Sequence, residues 1–306
     1  MNAKNLGKLI KYLRNTYNMT QEELATGICT RRHLSNIENG KVYISSYYLE
    51  LFAYKLNFDI MILMNYSNYC DPVFVYTNKK KIDELTYLQQ YEKMFNLLLD
   101  IEKQEDFSKS IELTKYIDWH KAIYEYKQNK HYSKAIDILN KCIDRFNINQ
   151  IYKNEIKFVN IFEIELLNTY GNCMFEKGDT QLSIHIYKYI NACLDSLSFS
   201  TNISLHSKLL FNLSKALYLS EYYDDSLFYI EKGLSLCRNN YSLEYLGQLY
   251  YQKAVCLVNS RSEENPIKYF LWAYNIFDMQ GNEKLKNFLI KKTEDKYNQS
   301  ISKYIS

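Results

Sequence analysis

Apolar positions recur every three or four residues along almost the whole chain, and short polar turns interrupt them, a pattern that predicts helices joined by tight connections. Leu6, Leu9, Ile10 and Leu13 form the stripe of a first amphipathic helix. Thr20, with Glu23 three residues on, is a capping box that opens a short helix over Gln21 to Thr26. Gly27 permits a turn, and Ile28 and Cys29 bring the chain round. Thr30 then caps a further helix whose Leu34 and Ile37 face inward with Leu24, and Asn39-Gly40 is its left-handed stop. Behind it, Tyr47, Leu51, Ala53, Tyr54 and Leu56 supply another apolar set. The expectation is a five-helix unit over residues 1–66, small but able to close a core. Asp71-Pro72 breaks the helical pattern, and three lysines come after it at 79–81, so residues 67–81 read as a linker.

From residue 82 to the end the pattern repeats. Trp119, Ala122, Ile123 and Tyr126, followed by Ala135 and Leu139, resemble the tetratricopeptide arrangement of a large residue, a small residue at a helix crossing and an aromatic. It recurs as Leu167, Tyr170, Gly171 and Met174 before Ser183 and Tyr187. Leu210, Leu213, Ser214 and Leu217 then precede Ser226 and Ile230, and Ala254 and Leu257 precede Phe270 and Ala273. Gly171, Ser214 and Ala254 are separated by 43 and 40 residues, longer than the usual tetratricopeptide unit of roughly 34. An earlier pair over about 83–115 and a last helix over 283–304 are expected to cap the stack. The fold class is therefore all-α: a helix-turn-helix head over 1–66 and a right-handed α-solenoid over 82–306.

Composition narrows the picture. With two prolines and eight glycines in 306 residues, the chain has few helix breakers, and 47% hydrophobic with 24% charged residues is ordinary for a globular protein. The 31 tyrosines, beside an Asn, Lys and Ile bias, point to an AT-rich genome more than to a function. The N-terminus lacks an apolar targeting segment and no stretch reaches the roughly 18 apolar residues of a membrane span, so a cytoplasmic place and no membrane partner are expected. Seven widely spaced cysteines without a C-x-x-C pair read as buried free thiols, with a redox role left open for any of them. The histidines do not cluster with cysteines or carboxylates at metal spacing. No Gly-rich phosphate loop and no nucleophile set beside a base is present, so neither catalysis nor a cofactor is expected.

The outward residues of the helix-turn-helix carry the first candidate chemistry. Arg31, Arg32, His33, Ser35 and Asn36 lie on the outer face of its second helix, where arginine can pair with guanine and asparagine with adenine in a major groove. Gln21 at the start of the preceding helix and Lys41 just after the second are placed for phosphate. Arg14 and Glu38 read as a structural ion pair. Residues 1–60 hold eight Lys or Arg against five acids, a balance of +3 that equals the formal net charge of the entire chain. Positive charge is concentrated in the head, which suits a double-stranded DNA operator as partner.

The second candidate site lies in the repeats. Measured at 100° per residue from each small crossing residue, Asn168, Asn172, Asn212 and Gln248 fall within an arc of about 100° on their helices. A row of side-chain amides can donate to and accept from the backbone of an extended peptide whatever its side chains are, and neighbouring Lys215, Tyr251 and Tyr124 could select among sequences. The same amides could instead bond to one another.

The head resembles the phage-repressor-like (Xre-type) helix-turn-helix family over residues 6–66. Three segments, GICTRRHLSNIENGKVYIS (27–45), NLSKALYLSEYYDDSLFYIEKGLSLC (212–237) and LGQLYYQKAVCL (246–257), resemble the group of peptide-controlled regulators that comprises Rgg, Rap, NprR, PlcR and PrgX, and its PlcR-like members most. The resemblance implies quorum sensing: a transcription regulator, homodimeric through its repeats, that responds to a short signalling peptide which is secreted, processed and imported. It also implies that Asn168, Asn212 and Gln248 are peptide contacts. It is weak over 83–118, where basic peptide contacts of the group find no clear match. Two alternatives remain on the residues: a constitutive repressor whose repeats only dimerise, and a regulator that binds a partner protein on its repeats.

Overall fold

The computed structural model describes residues 2–143, 160–196, 202–260, 264–295 and 301. Among the described residues the chain forms seventeen α-helices and no strand, as the spacing of apolar positions predicts. It divides into two compact units, residues 1–129 and 130–306.

The first unit begins with the expected five helices: α1 (Ala3–Thr16), α2 (Gln21–Ala25), α3 (Arg31–Glu38), α4 (Ser46–Lys55) and α5 (Ile60–Tyr66). Leu6, Leu9, Ile10 and Leu13 of α1 are buried with Leu24, Leu34 and Ile37, so the core of the helix-turn-helix is the one the pattern marks. Both halves of the capping box form: the Glu23 amide donates to Thr20 Oγ1 at 3.1 Å, and the Thr20 amide donates to Glu23 Oε2 at 2.6 Å. That carboxylate is held below its ordinary pKa by the bonds it accepts from the Thr20 amide and hydroxyl. Gly40, with φ 67°, ends α3: its amide donates to the Ile37 carbonyl and the Lys41 amide to that of Asn36, the paired bonds of a Schellman stop. A side chain there would also meet Lys4, whose Cα lies 2.5 Å from where a Cβ would stand.

Arg14 and Glu38 form the expected pair. Arg14 Nε donates to Oε1 at 2.6 Å and its Nη2 to Oε2 at 3.1 Å, while Nη1 donates to the Met19 carbonyl at 2.7 Å. Both side chains are buried, and this fork ties α1 to α3 beneath the turn.

Two expectations for this unit need correction. In α4 the buried face is Leu49, Phe52, Ala53 and Leu56; Tyr47 and Tyr54 are exposed and Leu51 is only half-buried. Spacings of three, one and three residues make one continuous stripe, which the set containing the two tyrosines does not. Residues 67–81 are also not a free linker. Asp71 caps α6 (Pro72–Tyr87), accepting from the Phe74 amide at 3.2 Å, and Pro72 sits in the first turn, where its missing N–H is no loss. Asp71-Pro72 thus opens a helix that runs through all three lysines, and its Val73 and Tyr76 pack on the head's core. The unit continues through α7 (Tyr91–Ile101), α8 (Glu105–Lys109) and α9 (Ile111–Tyr124), the last drawn out by a π-helical turn at Glu125–Asn129.

The second unit contains α10 (Tyr132–Cys142), α11 (Ile161–Lys177), α12 (Thr180–Ser196), α13 (Ile203–Leu219), α14 (Tyr223–Asn239), α15 (Leu246–Asn259), α16 (Pro266–Met279) and α17 (Glu283–Asp295). From α11 onward each helix packs on the next, and α13 also touches both α11 and α15, which makes these three an inner row. The small residues sit where the pattern places them. A Cβ on Gly171 would stand 2.7 Å from the Tyr187 ring, so glycine is what lets α11 and α12 approach. At the next crossing Ser226 Oγ donates to the Ser214 carbonyl at 2.8 Å, with both serines fully buried. Ala254, Phe270 and Ala273 close the third pair. The last helix, expected to reach residue 304, is seen to Asp295; beyond it only Ile301 belongs to the described residues.

All seven cysteines are free thiols. Five are buried as expected, but Cys29 is half-buried and Cys70 is exposed.

Candidate functional site

The structure brings the outward residues of α3 to one surface. Arg31, Arg32 and Lys41 are exposed, and none has a carboxylate partner among the described residues, so three cations are available to an anion. Ser35 and Asn36 are half-buried beside them, and Asn39 Nδ2 donates to the Ser35 carbonyl at 2.7 Å, which stiffens the end of the helix. Thr30 Oγ1 accepts the His33 amide at 3.2 Å and fixes where α3 begins. The His33 ring packs against Tyr48 with centroids 5.3 Å apart, so part of this side chain serves the junction of α3 with α4. Gln21 stands differently from the expectation of a free phosphate ligand. Its Nε2 donates to Glu38 Oε2 at 2.8 Å, which adds it to the buried Arg14–Glu38 fork. The exposed Tyr43, just past Lys41, adds an aromatic to this surface that the helical pattern did not single out, because it lies in the loop between α3 and α4.

The repeat unit holds the second site. Asn168 on α11 and Asn212 on α13 meet directly: Asn212 Nδ2 donates to Asn168 Oδ1 at 3.2 Å. Asn168 is 1% exposed, yet among the described residues its Nδ2 has no hydrogen-bond partner. Gln248 on α15 has the complementary defect, since its buried Oε1 accepts from no group among the described residues. An enclosed amide without partners costs roughly 1 to 3 kcal/mol, so an unmet donor and an unmet acceptor in one row of helices are informative. Asn172 is engaged elsewhere, its Oδ1 accepting from the Tyr187 hydroxyl at 2.7 Å.

Beside this row lies a mainly apolar cavity of about 300 Å³ between α13, α15, α16 and α17. Gln248, Lys215 and Tyr251 line it together with Phe211, Phe277 and Phe288. The Lys215 ammonium stands 4.7 Å from the centroid of the Phe175 ring. Tyr251 is fixed by the rings of Phe270 and Phe288, with centroids 6.0 and 5.9 Å away. Tyr124 belongs to the other unit, where it stacks on Phe95 at 4.1 Å. The sequence did not single out the phenylalanines. Phe211, Lys215 and Tyr218 recur at four and three residues along α13, a signal for a shared face, but apolar residues at that spacing are usually core.

Among the described residues, no group of three His, Cys, Asp or Glu side chains could hold a metal ion, and no helix is long and apolar enough to cross a membrane.

A helix-turn-helix head and a stack of paired helices in one chain define a class of DNA-binding regulators with a helical-repeat body. Residues 79–298 match the RNPP family C-terminal domain and residues 10–60 match a helix-turn-helix domain. The chain belongs to the RNPP family. Among solved structures it is similar to PlcR of Bacillus thuringiensis in complex with the peptide PapR7 and DNA, at 26% identity and a TM-score of 0.71, over 94% of this chain and 99% of that one. It is also similar to apo PlcR from the same organism, at 24% identity and a TM-score of 0.64, over 95% and 99%. The pheromone receptor Rgg2 of Streptococcus dysgalactiae shares the fold at 19% identity and a TM-score of 0.55, over 96% and 98%. No curated protein sequence matches significantly.

Proposed function

We propose that this protein is a cytoplasmic, sequence-specific DNA-binding transcription regulator, without catalytic activity, whose operator affinity is set by a short imported signalling peptide. Residues 1–66 act as the DNA-binding head, and residues 82–306 bind the peptide and hold two copies together. Arg31, Arg32, Ser35 and Asn36 read bases, while Lys41 meets phosphate. A homodimer presents two α3 helices to a two-fold-symmetric site, about one helical turn of DNA apart.

The observation that carries this reading is the unfinished amide row: Asn168 Nδ2 lacks an acceptor and Gln248 Oε1 lacks a donor. An extended peptide backbone supplies one of each at every residue. The relative with 26% identity was solved with both a peptide and DNA bound, which supports the same pairing of ligands here. Peptide binding then favours the arrangement of heads that fits the operator, by as much as its affinity differs between arrangements.

The test uses full-length protein and synthetic peptides from small secreted-protein reading frames beside its gene. One peptide is expected to bind saturably in a calorimeter, to lose that binding with Asn168→Ala or Asn212→Ala, and to change operator affinity by about fivefold or more. Unchanged peptide binding in both variants would remove the groove from the account. Unchanged operator affinity at saturating peptide would remove the coupling and leave a constitutive regulator.

A further inference from the structure

Resting on the DNA-binding reading, we infer that α1 carries a second phosphate-binding stripe, Lys4, Lys8 and Lys11, which holds the DNA backbone flanking the bases that α3 reads. Three observations converge on this stripe.

The stripe is basic and unopposed. Residues 1–19 contain Lys4, Lys8, Lys11 and Arg14 and not one aspartate or glutamate. Arg14 is taken up by the buried fork with Glu38, but the three lysines are exposed, and none pairs with a carboxylate among the described residues. At 100° per residue they fall within an arc of about 60°, on the side of α1 opposite the buried Leu6, Leu9 and Leu13. Lys4 with Lys8, and Lys8 with Lys11, are like-charge neighbours one turn apart, an arrangement that weakens a helix in isolation. A polyanion laid along the stripe removes that repulsion.

The stripe is continuous with the surface that reads DNA. Gly7 marks where α1 crosses α3, since a Cβ there would run into the Ile37 carbonyl oxygen. Lys4 lies nearly one turn earlier, and its Cα lies 2.5 Å from where a Cβ on Gly40 would stand, at the end of α3. Lys4 and the exposed Lys41 therefore start from adjoining stretches of backbone. The Arg14–Glu38 fork joins the same two helices, so the lysines keep a fixed place relative to Arg31 and Arg32.

The spacing suits one DNA strand. From Lys4 to Lys11 the helix rises about 10.5 Å, at roughly 1.5 Å per residue. One strand of the duplex advances about 3.4 Å along its axis per phosphate, so the stripe spans about three phosphates. Lysine is a point charge on a flexible stem and follows a phosphate without fixing its orientation, so these contacts add affinity and register but carry no sequence information.

The experiment uses the full-length protein, an operator selected from a random duplex library by the wild type, and a random duplex of equal length. Two triple variants replace Lys4, Lys8 and Lys11 together, one with glutamine and one with arginine, and Arg31→Ala serves as the base-reading control. The glutamine variant is expected to weaken binding to both duplexes by a common factor of about tenfold or more. It should also lower the slope of log affinity against log salt by about two to three units per head. The arginine variant should keep affinity and slope, and Arg31→Ala should instead reduce the preference for operator over random duplex. Phosphate-ethylation interference should show two or three flanking phosphates per half-site that matter to the wild type and not to the glutamine variant. Both triple variants should retain the wild-type circular dichroism, because the lysines are exposed. A glutamine variant that keeps the wild-type salt slope and interference pattern overturns this inference alone. So does one that keeps duplex binding and loses binding to phosphatidylglycerol vesicles, which would assign the stripe to a lipid surface. Failure of the wild type to enrich any duplex from the library overturns the DNA-binding reading with it.

Discussion

Asn168 illustrates how one residue can be poorly used in the free protein and necessary to its task. Its carbonyl is occupied by Asn212, but its buried amide donates to nothing. Asn168→Leu should therefore leave the thermal stability of the peptide-free protein within about 1 kcal/mol of wild type, since the removed donor was unsatisfied and the half-exposed Asn212 can turn to water. The same change should abolish peptide binding. A loss of stability well beyond that, measured by denaturant unfolding, would mark Asn168 as a structural group. His120 makes a second case at this scale. Burial pushes its pKa down to about 4, with its Nδ1 2.9 Å from the Tyr116 carbonyl and Lys79 nearby. The folded state therefore keeps this imidazole neutral where the unfolded chain takes up a proton. The stability it contributes is complete above the unfolded value near 6.5 and is lost as pH falls towards 4, roughly 3 kcal/mol in all. Unfolding curves for wild type and His120→Gln across that window should diverge, with the variant showing the flatter pH dependence.

At the scale of elements, one helix crossing depends on a missing side chain. Gly171 allows α11 to lie against the buried Tyr187 of α12, so Gly171→Ala should destabilise the repeat unit by about 1 to 3 kcal/mol through overpacking. Chemical denaturation monitored by circular dichroism measures this directly. The recognition helix responds to a different kind of change. Arg31 and Arg32 are exposed and unpaired, so Arg31→Ala and Arg32→Ala should leave unfolding nearly unchanged while weakening operator binding by about 1 to 3 kcal/mol each. Lys41→Ala should instead weaken binding to all DNA sequences and lower the salt slope by about one unit, as loss of a phosphate contact does. Titrations at several salt concentrations separate the two behaviours.

For the whole molecule, the proposed function requires two heads acting on one symmetric operator. Inserting about five base pairs between half-sites rotates them by half a turn, so affinity should fall to that of a single half-site. If binding tolerates the insertion in footprinting and gel-shift titrations, the heads act independently and the dimer has no role in reading the site. The neutral net balance of the residues outside the head fits this division, because the chain's excess positive charge lies in the head.

Much of this was legible in the chain itself. The Thr20 capping box, the Gly40 stop and the 3.6-residue stripes are local: each depends on neighbours within one or two turns, so the order of residues determines them. The same locality made the helix-turn-helix, the small crossing residues and the facing of Asn168, Asn212 and Gln248 readable. What needed the tertiary structure was everything decided by partners far along the chain. Asp71-Pro72 reads as a break, but only the packing of Val73 and Tyr76 on the head's core decides that it starts a helix of that unit. Tyr47 and Tyr54 carry enough apolar surface to be core, and only the docking of α4 through Phe52 leaves them in solvent. Gln21 was placed correctly on its helix, but its amide is taken by Glu38, seventeen residues away. Most of all, a row of amides in sequence says nothing about which atoms are satisfied. That Asn168 keeps an unmet donor and Gln248 an unmet acceptor is a result of how three helices stack, because hydrogen bonding is decided by distance in space and not by position in the chain.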